Sequence, residues 1–273
     1  MIQKTLDFSV YSSIKIGPTL QISLIQNPQD YYEILQHTTT PSIIGAANNL
    51  LVSPNAKNLI MLDKNFSYIK DCGDFLEVGA LTPSGRLFSY AKKHNLAGFE
   101  ILSGLPGSIG GIIKMNAGLK EYEIKSSLLG ILSLKNSQSL EFIPAHSLNL
   151  SYRSSTIETL IFAGIFKKQS GFNPNLVSLF TKMRSNQPKE PSFGSCFKNP
   201  PNDFAGRLIE SVGLKGVVFG RNQSLMFSPK HANFLVNLGK TSFDEALELI
   251  ELARNLVLKQ HQISLQNEVQ ILQ

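Results

Sequence analysis

The chain reads as an α+β protein, and three observations predict this. Strand-like apolar runs are interspersed with helical periodicities in both halves of the 273 residues. Hydrophobic residues make up 42% of the chain and charged residues 17%, against roughly 25% charged in an average soluble domain. That is the balance of a folded core and not of disorder. The style of the sequence changes at Lys167-Lys168-Gln169-Ser170-Gly171, so two domains are expected, 1–168 and 169–273.

In order along the chain, 42–45 and 59–62 read as short strands around turns at Asn48-Asn49 and Ser53-Pro54-Asn55, and 75–80 as a further strand. Thr82-Pro83 opens a helix, with Thr as N-cap and Pro at the first position, whose stripe of Leu87, Tyr90, Ala91 and His94 is expected to face inward. Apolar stretches at 128–134, 140–143 and 159–166 are strands again. Asn173-Pro174 starts a helix with Leu176, Leu179, Phe180 and Met183 at helical spacing. Residues 203–212 form a short helix stopped by Gly213. Ser242-x-x-Glu245 is a capping box for a long helix whose Phe243, Ala246, Leu247, Ile250, Ala253 and Val257 share a face. The end alternates, Ile263, Leu265, Val269 and Ile271 against Gln266, Glu268 and Gln270, which predicts a final strand carrying Glu268 on its polar face.

Composition excludes several classes. Cys72 and Cys196 are too few for a disulfide framework or a multi-cysteine metal site. Five histidines without HxH or HxxxH spacing assign no metal. Free thiols, a first segment without an apolar targeting region and the lack of a ~20-residue apolar run predict a cytoplasmic protein that engages no membrane. The net charge is +6, and residues 182–230 hold eight basic residues against three acidic ones. That run is either a solvated basic face or a field that draws in small polyanions. It lacks the dense Lys/Arg clusters with aromatics of a nucleic-acid reader, so no nucleic-acid partner is expected.

The strongest local signal is Gly104-Leu105-Pro106-Gly107-Ser108-Ile109-Gly110-Gly111 followed by Asn116-Ala117-Gly118. Glycines let a backbone approach a ligand and aim successive N–H groups at one anion, and a helix start beside them suits a pyrophosphate. The pattern is neither a Walker A loop nor GxGxxG, and a purely structural turn is the other reading. A second small-residue turn, Gly45-Ala46-Ala47-Asn48-Asn49-Leu50-Leu51, fits a dinucleotide held along its length. Ser195 sits in the glycine turn Phe193-Gly194-Ser195-Cys196-Phe197-Lys198-Asn199-Pro200, which is not a GxSxG elbow. Cys196, beside Phe197, reads as a buried filler. From the residues alone, the chain is an α+β protein that binds a phosphorylated cofactor.

Seven segments in order resemble the UDP-N-acetylenolpyruvoylglucosamine reductase family. They are Ser12-Ser13-Ile14-Lys15-Ile16-Gly17, the 45–51 turn, Pro106-Gly107-Ser108-Ile109-Gly110-Gly111 with Met115-Asn116-Ala117-Gly118, Tyr152-Arg153-Ser154-Ser155, the 194–200 segment, Lys230-His231-Ala232-Asn233-Phe234-Leu235-Val236-Asn237, and Glu268-Val269. The resemblance implies an FAD-binding domain of the p-cresol methylhydroxylase/vanillyl-alcohol oxidase type followed by an α+β substrate domain. It implies a cytoplasmic flavoprotein, expected to be a monomer, with non-covalent FAD, and with NADPH and a UDP-sugar as its small-molecule partners. Such an enzyme reduces the enolpyruvyl C=C of UDP-N-acetylglucosamine enolpyruvate for peptidoglycan. Carried over residue by residue, Arg153, Ser195 and Glu268 are catalytic. Gly45, Ala46, Ala47, Asn48, Asn49, Leu50, Pro106, Gly107, Ser108, Gly110, Gly111, Asn116, Ala117 and Gly118 hold the cofactor, and Tyr152, Gln187, Lys198 and Asn199 touch the substrate. Two departures stand out. Ala47 and Asn48 replace the second glycine and the serine of the usual Gly-x-Gly-Ser-Asn-Leu turn. The short stretch from Arg153 to Gly194 matches the shorter subtype, without the extra substrate loop. The rival expectations are a flavin-dependent alcohol or sugar oxidase of the same fold, and a flavin-less nucleotide-sugar-binding protein.

Overall fold

The computed structural model describes residues 2–38, 40–134 and 138–273. Its helices are α1 (Phe8–Tyr11), α2 (Pro28–His37), α3 (Ser84–Lys93), α4 (Ile109–Lys114), α5 (Pro174–Met183), α6 (Ala205–Ser211) and α7 (Phe243–His261). The chain forms two compact units, Met1–Lys4, Ile22–Ala46 and Asn58–Ser185 in one, Thr5–Gln21, Ala47–Lys57 and Asn186–Gln273 in the other. These differ from the expected segments 1–168 and 169–273, and the reason lies in where apolar side chains bury. α5 carries Phe180, with Leu176 and Met183 beside it, into the first core. Ile14, Ile16 and Leu51 are buried in the second.

In the first unit, Ser42–Ile44 and Leu59–Leu62 are strands as expected, but they run parallel, Ser42 opposite Leu59 and Ile44 opposite Met61. A parallel pair cannot be closed by a hairpin and needs a long crossover. That crossover contains Leu50–Val52, a strand missed in the sequence, which belongs to the second unit and pairs there with Gln270–Leu272. An antiparallel sheet orders Glu141–Pro144, Leu128–Ser133, Ile161–Lys167, Phe75–Gly79 and Ile69–Asp71. Leu87 and Ala91 of α3 and Ile109, Ile112 and Ile113 of α4 join its core. Two details of α3 differ from expectation. Thr82 is not the cap, because its hydroxyl donates to the Tyr68 carbonyl at 2.9 Å and Pro83 takes the N-cap place. His94 is exposed and stacks on Tyr90, ring centroids 4.3 Å apart, instead of facing inward.

The second unit builds an antiparallel sheet in the order Ser192–Ser195, Phe234–Asn237, Leu225–Phe227 and Val218–Phe219. α7 lays Ala246, Leu249, Ile250, Ala253 and Val257 on its core, with Leu249 more deeply buried than the expected Leu247. Its capping box is as read: the Ser242 hydroxyl accepts the Glu245 N–H at 3.1 Å, and the Glu245 carboxylate accepts the Ser242 N–H at 2.8 Å. The final strand is shorter than the alternation implies. Only Gln270–Leu272 is strand, and Glu268 lies in the bend before it.

Ser242→Ala removes one partner of that box and is expected to cost about 1 kcal/mol, a drop of roughly 2–4 °C in Tm. Thermal unfolding measures it; an unchanged Tm would mean that the cap holds nothing.

Candidate active site

The first unit carries the glycine-rich segment and Arg153. Gly45 and Ser108 come together there: a Cβ on Gly45 would lie 2.8 Å from the Ser108 Oγ. Ser108 is the N-cap of α4 without a side-chain cap bond. The helix start itself is less available to an anion than expected. The Ile109 N–H donates to the Thr82 carbonyl (3.0 Å) and the Gly110 N–H to the Ala80 carbonyl (2.8 Å). Gly110 is glycine because a Cβ would press to 2.9 Å from the Ala80 Cβ. The face at Gly104 and Gly111 is open, since added Cβ atoms would meet only Arg184 Cδ at 3.9 Å and Ser108 Oγ at 3.6 Å.

Asn116, expected to hold the cofactor, is fully buried, and its side chain works as a fastener. Its amide donates to the Ser151 carbonyl at 3.0 Å, and its oxygen accepts the Lys125 N–H at 3.3 Å. Ser151 and Ser154 exchange two backbone bonds, 3.0 and 3.2 Å, leaving Tyr152 and Arg153 at the corner. Arg153 holds φ +50°, a left-handed conformation that costs a non-glycine residue about 1–2 kcal/mol. Its Nη2 donates to the Gly118 carbonyl at 2.6 Å, and its guanidinium lies 5.2 Å from the exposed Tyr152 ring. Lys114 Nζ donates to the Ile157 carbonyl, and the Ser155 hydroxyl donates to the Lys114 carbonyl at 2.7 Å. Burial pulls the Lys114 ammonium below its usual pKa.

The second unit holds Ser195 and Glu268. The Cys196 carbonyl accepts the N–H groups of both Glu268 (2.9 Å) and Val269 (3.2 Å), and the Lys198 N–H donates to the Gln266 carbonyl at 2.9 Å. Residues 195–198 and 266–269 are therefore laced by their backbones. Cys196 is fully buried, which pushes its thiol pKa well up, as a filler and not a nucleophile should be. Asn49, another expected cofactor residue, donates its amide to the Glu268 carbonyl at 2.9 Å, while its own carbonyl accepts the Gln270 N–H at 3.0 Å. Ala47 takes φ +49°, the glycine conformation without the glycine. The Ser13 N–H donates to its carbonyl at 3.2 Å, and the Ser13 hydroxyl donates to the Asn48 carbonyl at 3.2 Å. Lys198 and Gln187 are half-buried. Asn199 is exposed but spends its oxygen on the Ala205 N–H at the start of α6, 3.0 Å away.

Residues 187–272 match a family model described as UDP-N-acetylenolpyruvoylglucosamine reductase, C-terminal domain. Over 268 residues the chain is 54% identical to a UDP-N-acetylenolpyruvoylglucosamine reductase of Helicobacter hepaticus, covering 98% of each. The chain belongs to the UDP-N-acetylenolpyruvoylglucosamine reductase family. It is also 46% identical over 272 residues to a Helicobacter pylori reductase of the same name, all of both chains being covered. The crystal structure of the reductase from Thermus caldophilus matches with a TM-score of 0.85 at 27% identity over the full length of both chains. The α+β class read from the sequence is thus the fold of this reductase family.

Sequence reading missed Arg184. Its guanidinium donates to the Ser103 and Ile101 carbonyls, and burial, followed by the neighbouring Arg153 charge, pulls its pKa down. Only its place in the 182–230 basic run marked it. That run is itself divided: Lys182 and Arg184 fall in the first unit. In the second, Arg207 pairs with Asp203, and Lys215 pairs with Glu210 at 2.8 Å. Among the described residues, no cluster of His, Cys, Asp and Glu is placed to hold a metal, and no helix is long and apolar enough to cross a membrane.

Because the turn holds Arg153 left-handed, Arg153→Gly is expected to unfold at higher urea than Arg153→Ala, by roughly 0.5–1 kcal/mol. Both lose the same guanidinium, so equal midpoints would show that the turn carries no strain.

Proposed function

We propose that this member of the reductase family is an NADPH-dependent, FAD-containing enzyme that converts UDP-N-acetylglucosamine enolpyruvate to UDP-N-acetylmuramate. Reductase chemistry in peptidoglycan synthesis follows from membership of the family. The two nucleotide cofactors, a cytoplasmic location and the residue roles are the proposal. The observation that carries it is the Cys196 carbonyl bonded to the Glu268 and Val269 amides, which makes Ser195 and Glu268 parts of one rigid piece.

The substrate is an enol ether whose C=C is conjugated to a carboxylate, so its reduction adds hydride to the β carbon and a proton to the α carbon. Between the two additions charge spreads into the carboxylate. Arg153 has five N–H donors, enough to serve the Gly118 carbonyl and clasp a carboxylate bidentately. A fixed cation there gains strength as the charge develops. Glu268, held by its backbone at both ends, is assigned to the same carboxylate, assisting enolate stabilisation. Ser195 delivers the proton to the α carbon. A serine hydroxyl is a weak acid, so the proton must be replenished by relay, for which Lys198, three residues on, is the candidate.

The residues present fit a flavin dinucleotide. The open glycine face at Gly104 and Gly111 and the Gly45–Ser108 contact offer backbone to a flat or phosphorylated group. The mutually repelling Arg153 and Arg184 favour an anion nearby. Gly45, Ala46, Ala47, Asn48, Asn49, Leu50, Pro106, Gly107, Ser108, Gly110, Gly111, Asn116, Ala117 and Gly118 are assigned to it, chiefly through backbone, because Asn49 and Asn116 have side chains engaged within the protein. A flavin held there would, once reduced by NADPH, supply the hydride. Tyr152, Gln187, Lys198 and Asn199 are assigned to the UDP-sugar.

The test separates the two halves of the reaction. In Ser195→Ala, NADPH is expected to bleach the flavin absorbance at the wild-type rate, while adding the enolpyruvyl substrate restores it at least ~100-fold more slowly. Normal turnover of this variant would remove Ser195 from the proton-transfer role.

A further inference from the structure

We infer that Asn233 is a positioning residue for the reduction step: it sets Ser195 and Glu268 by gripping the backbone between them. The inference rests on the function proposed above for those two residues. Strand Ser192–Ser195 pairs with Phe234–Asn237, and the register ends with Ser195 opposite Phe234. Past that point the partner strand is lost, because residues 232–233 turn away. Asn233 replaces it. Its carbonyl accepts the Cys196 N–H at 2.7 Å. Its side-chain oxygen accepts the Phe197 N–H at 3.0 Å, and its side-chain amide donates to the Phe197 carbonyl at 2.8 Å.

The carboxamide thus acts as a peptide unit, supplying one acceptor and one donor in the pattern a neighbouring strand would give. Asn233, Cys196 and Phe197 are all buried, so water cannot take over these bonds. Opposite Asn233, the Cys196 carbonyl holds the Glu268 and Val269 amides. The Cys196 peptide is therefore clamped between Asn233 and Glu268, with Ser195 directly before it. Any slack at Asn233 changes the distance from the Ser195 hydroxyl to the Glu268 carboxylate. His231 in turn accepts the Asn233 N–H on Nδ1 at 3.3 Å, and burial keeps its imidazole pKa low, in the neutral form that can accept.

A matched control lies on the same strand. Asn237 is also buried, and it donates to the Ile14 and Lys15 carbonyls and accepts the Gly239 N–H, without touching residues 195–198 or 266–269 in these bonds. With the flavin-loaded enzyme, Asn233→Ala is expected to slow reoxidation by substrate about 100-fold while flavin reduction by NADPH stays at the wild-type rate. Asn237→Ala lowers Tm but leaves both rates unchanged. Asn233→Asp adds a pH signature and a second route should the alanine variant fail to fold. The ionised carboxyl cannot donate to the Phe197 carbonyl, whereas the protonated one can. Its substrate step should therefore quicken as pH falls, after normalisation to the wild-type profile; the other titratable and charged groups facing the site are His231, Glu268, Glu251 and Arg254. Asn233→Ala shows no such recovery. The inference is overturned if Asn233→Ala and Asn237→Ala behave alike, or if Asn233→Asp follows the wild-type pH profile. A wild-type protein that does not reduce the substrate overturns the functional reading, and this inference with it.

Discussion

The carbonyl of Cys196 is the point on which the candidate site depends. It accepts two amides, from Glu268 and Val269, at a fully buried residue. A buried carbonyl left unpaired costs about 1–3 kcal/mol, so segments 195–198 and 266–269 cannot part without exposing several such groups together. Phe193, Phe197, Leu235 and the inner face of α7 surround them. Asn49 closes the outer side of Glu268. The result is one hydrogen-bonded piece made largely from segments outside regular secondary structure.

The first unit solves a different problem, which is how to hold a half-buried cation. Arg153 sits at a left-handed corner where glycine would be at ease. Asn116, Gly118 and the Lys114–Ser155 contacts fasten the ends of that corner and offset its strain. Backbone strain retained in this way is expected where a side chain must point in one direction. Arg184 adds a second positive charge, whose pKa is pulled down by burial and then by the charge of Arg153.

Local chemistry was legible in the sequence, while long-range fastening was not. The Ser242 capping box, the Asn173 cap and the Gly213 stop announce themselves within a few residues, and all three stand. Glycine spacing singled out the 104–118 segment, and the order of seven motifs pointed to the family. What stayed hidden involved partners far along the chain. The Asn49–Glu268 bond spans 219 residues, and the Asn116–Ser151 bond 35. Neither side-chain bond can be read from local spacing. The parallel pairing of Ser42–Ile44 with Leu59–Leu62 and the capture of α5 by the first core were hidden for the same reason. Periodicity shows that a face is apolar, but not which core it enters.

The most direct test of this account is amide hydrogen exchange at Glu268 and Val269, followed residue by residue by NMR. If both amides are locked onto the buried Cys196 carbonyl, they should exchange only through global unfolding, with protection equal to that of the Phe234–Asn237 strand. Exchange at the pace of exposed loops would contradict it, and Ser195 and Glu268 would then have no common frame.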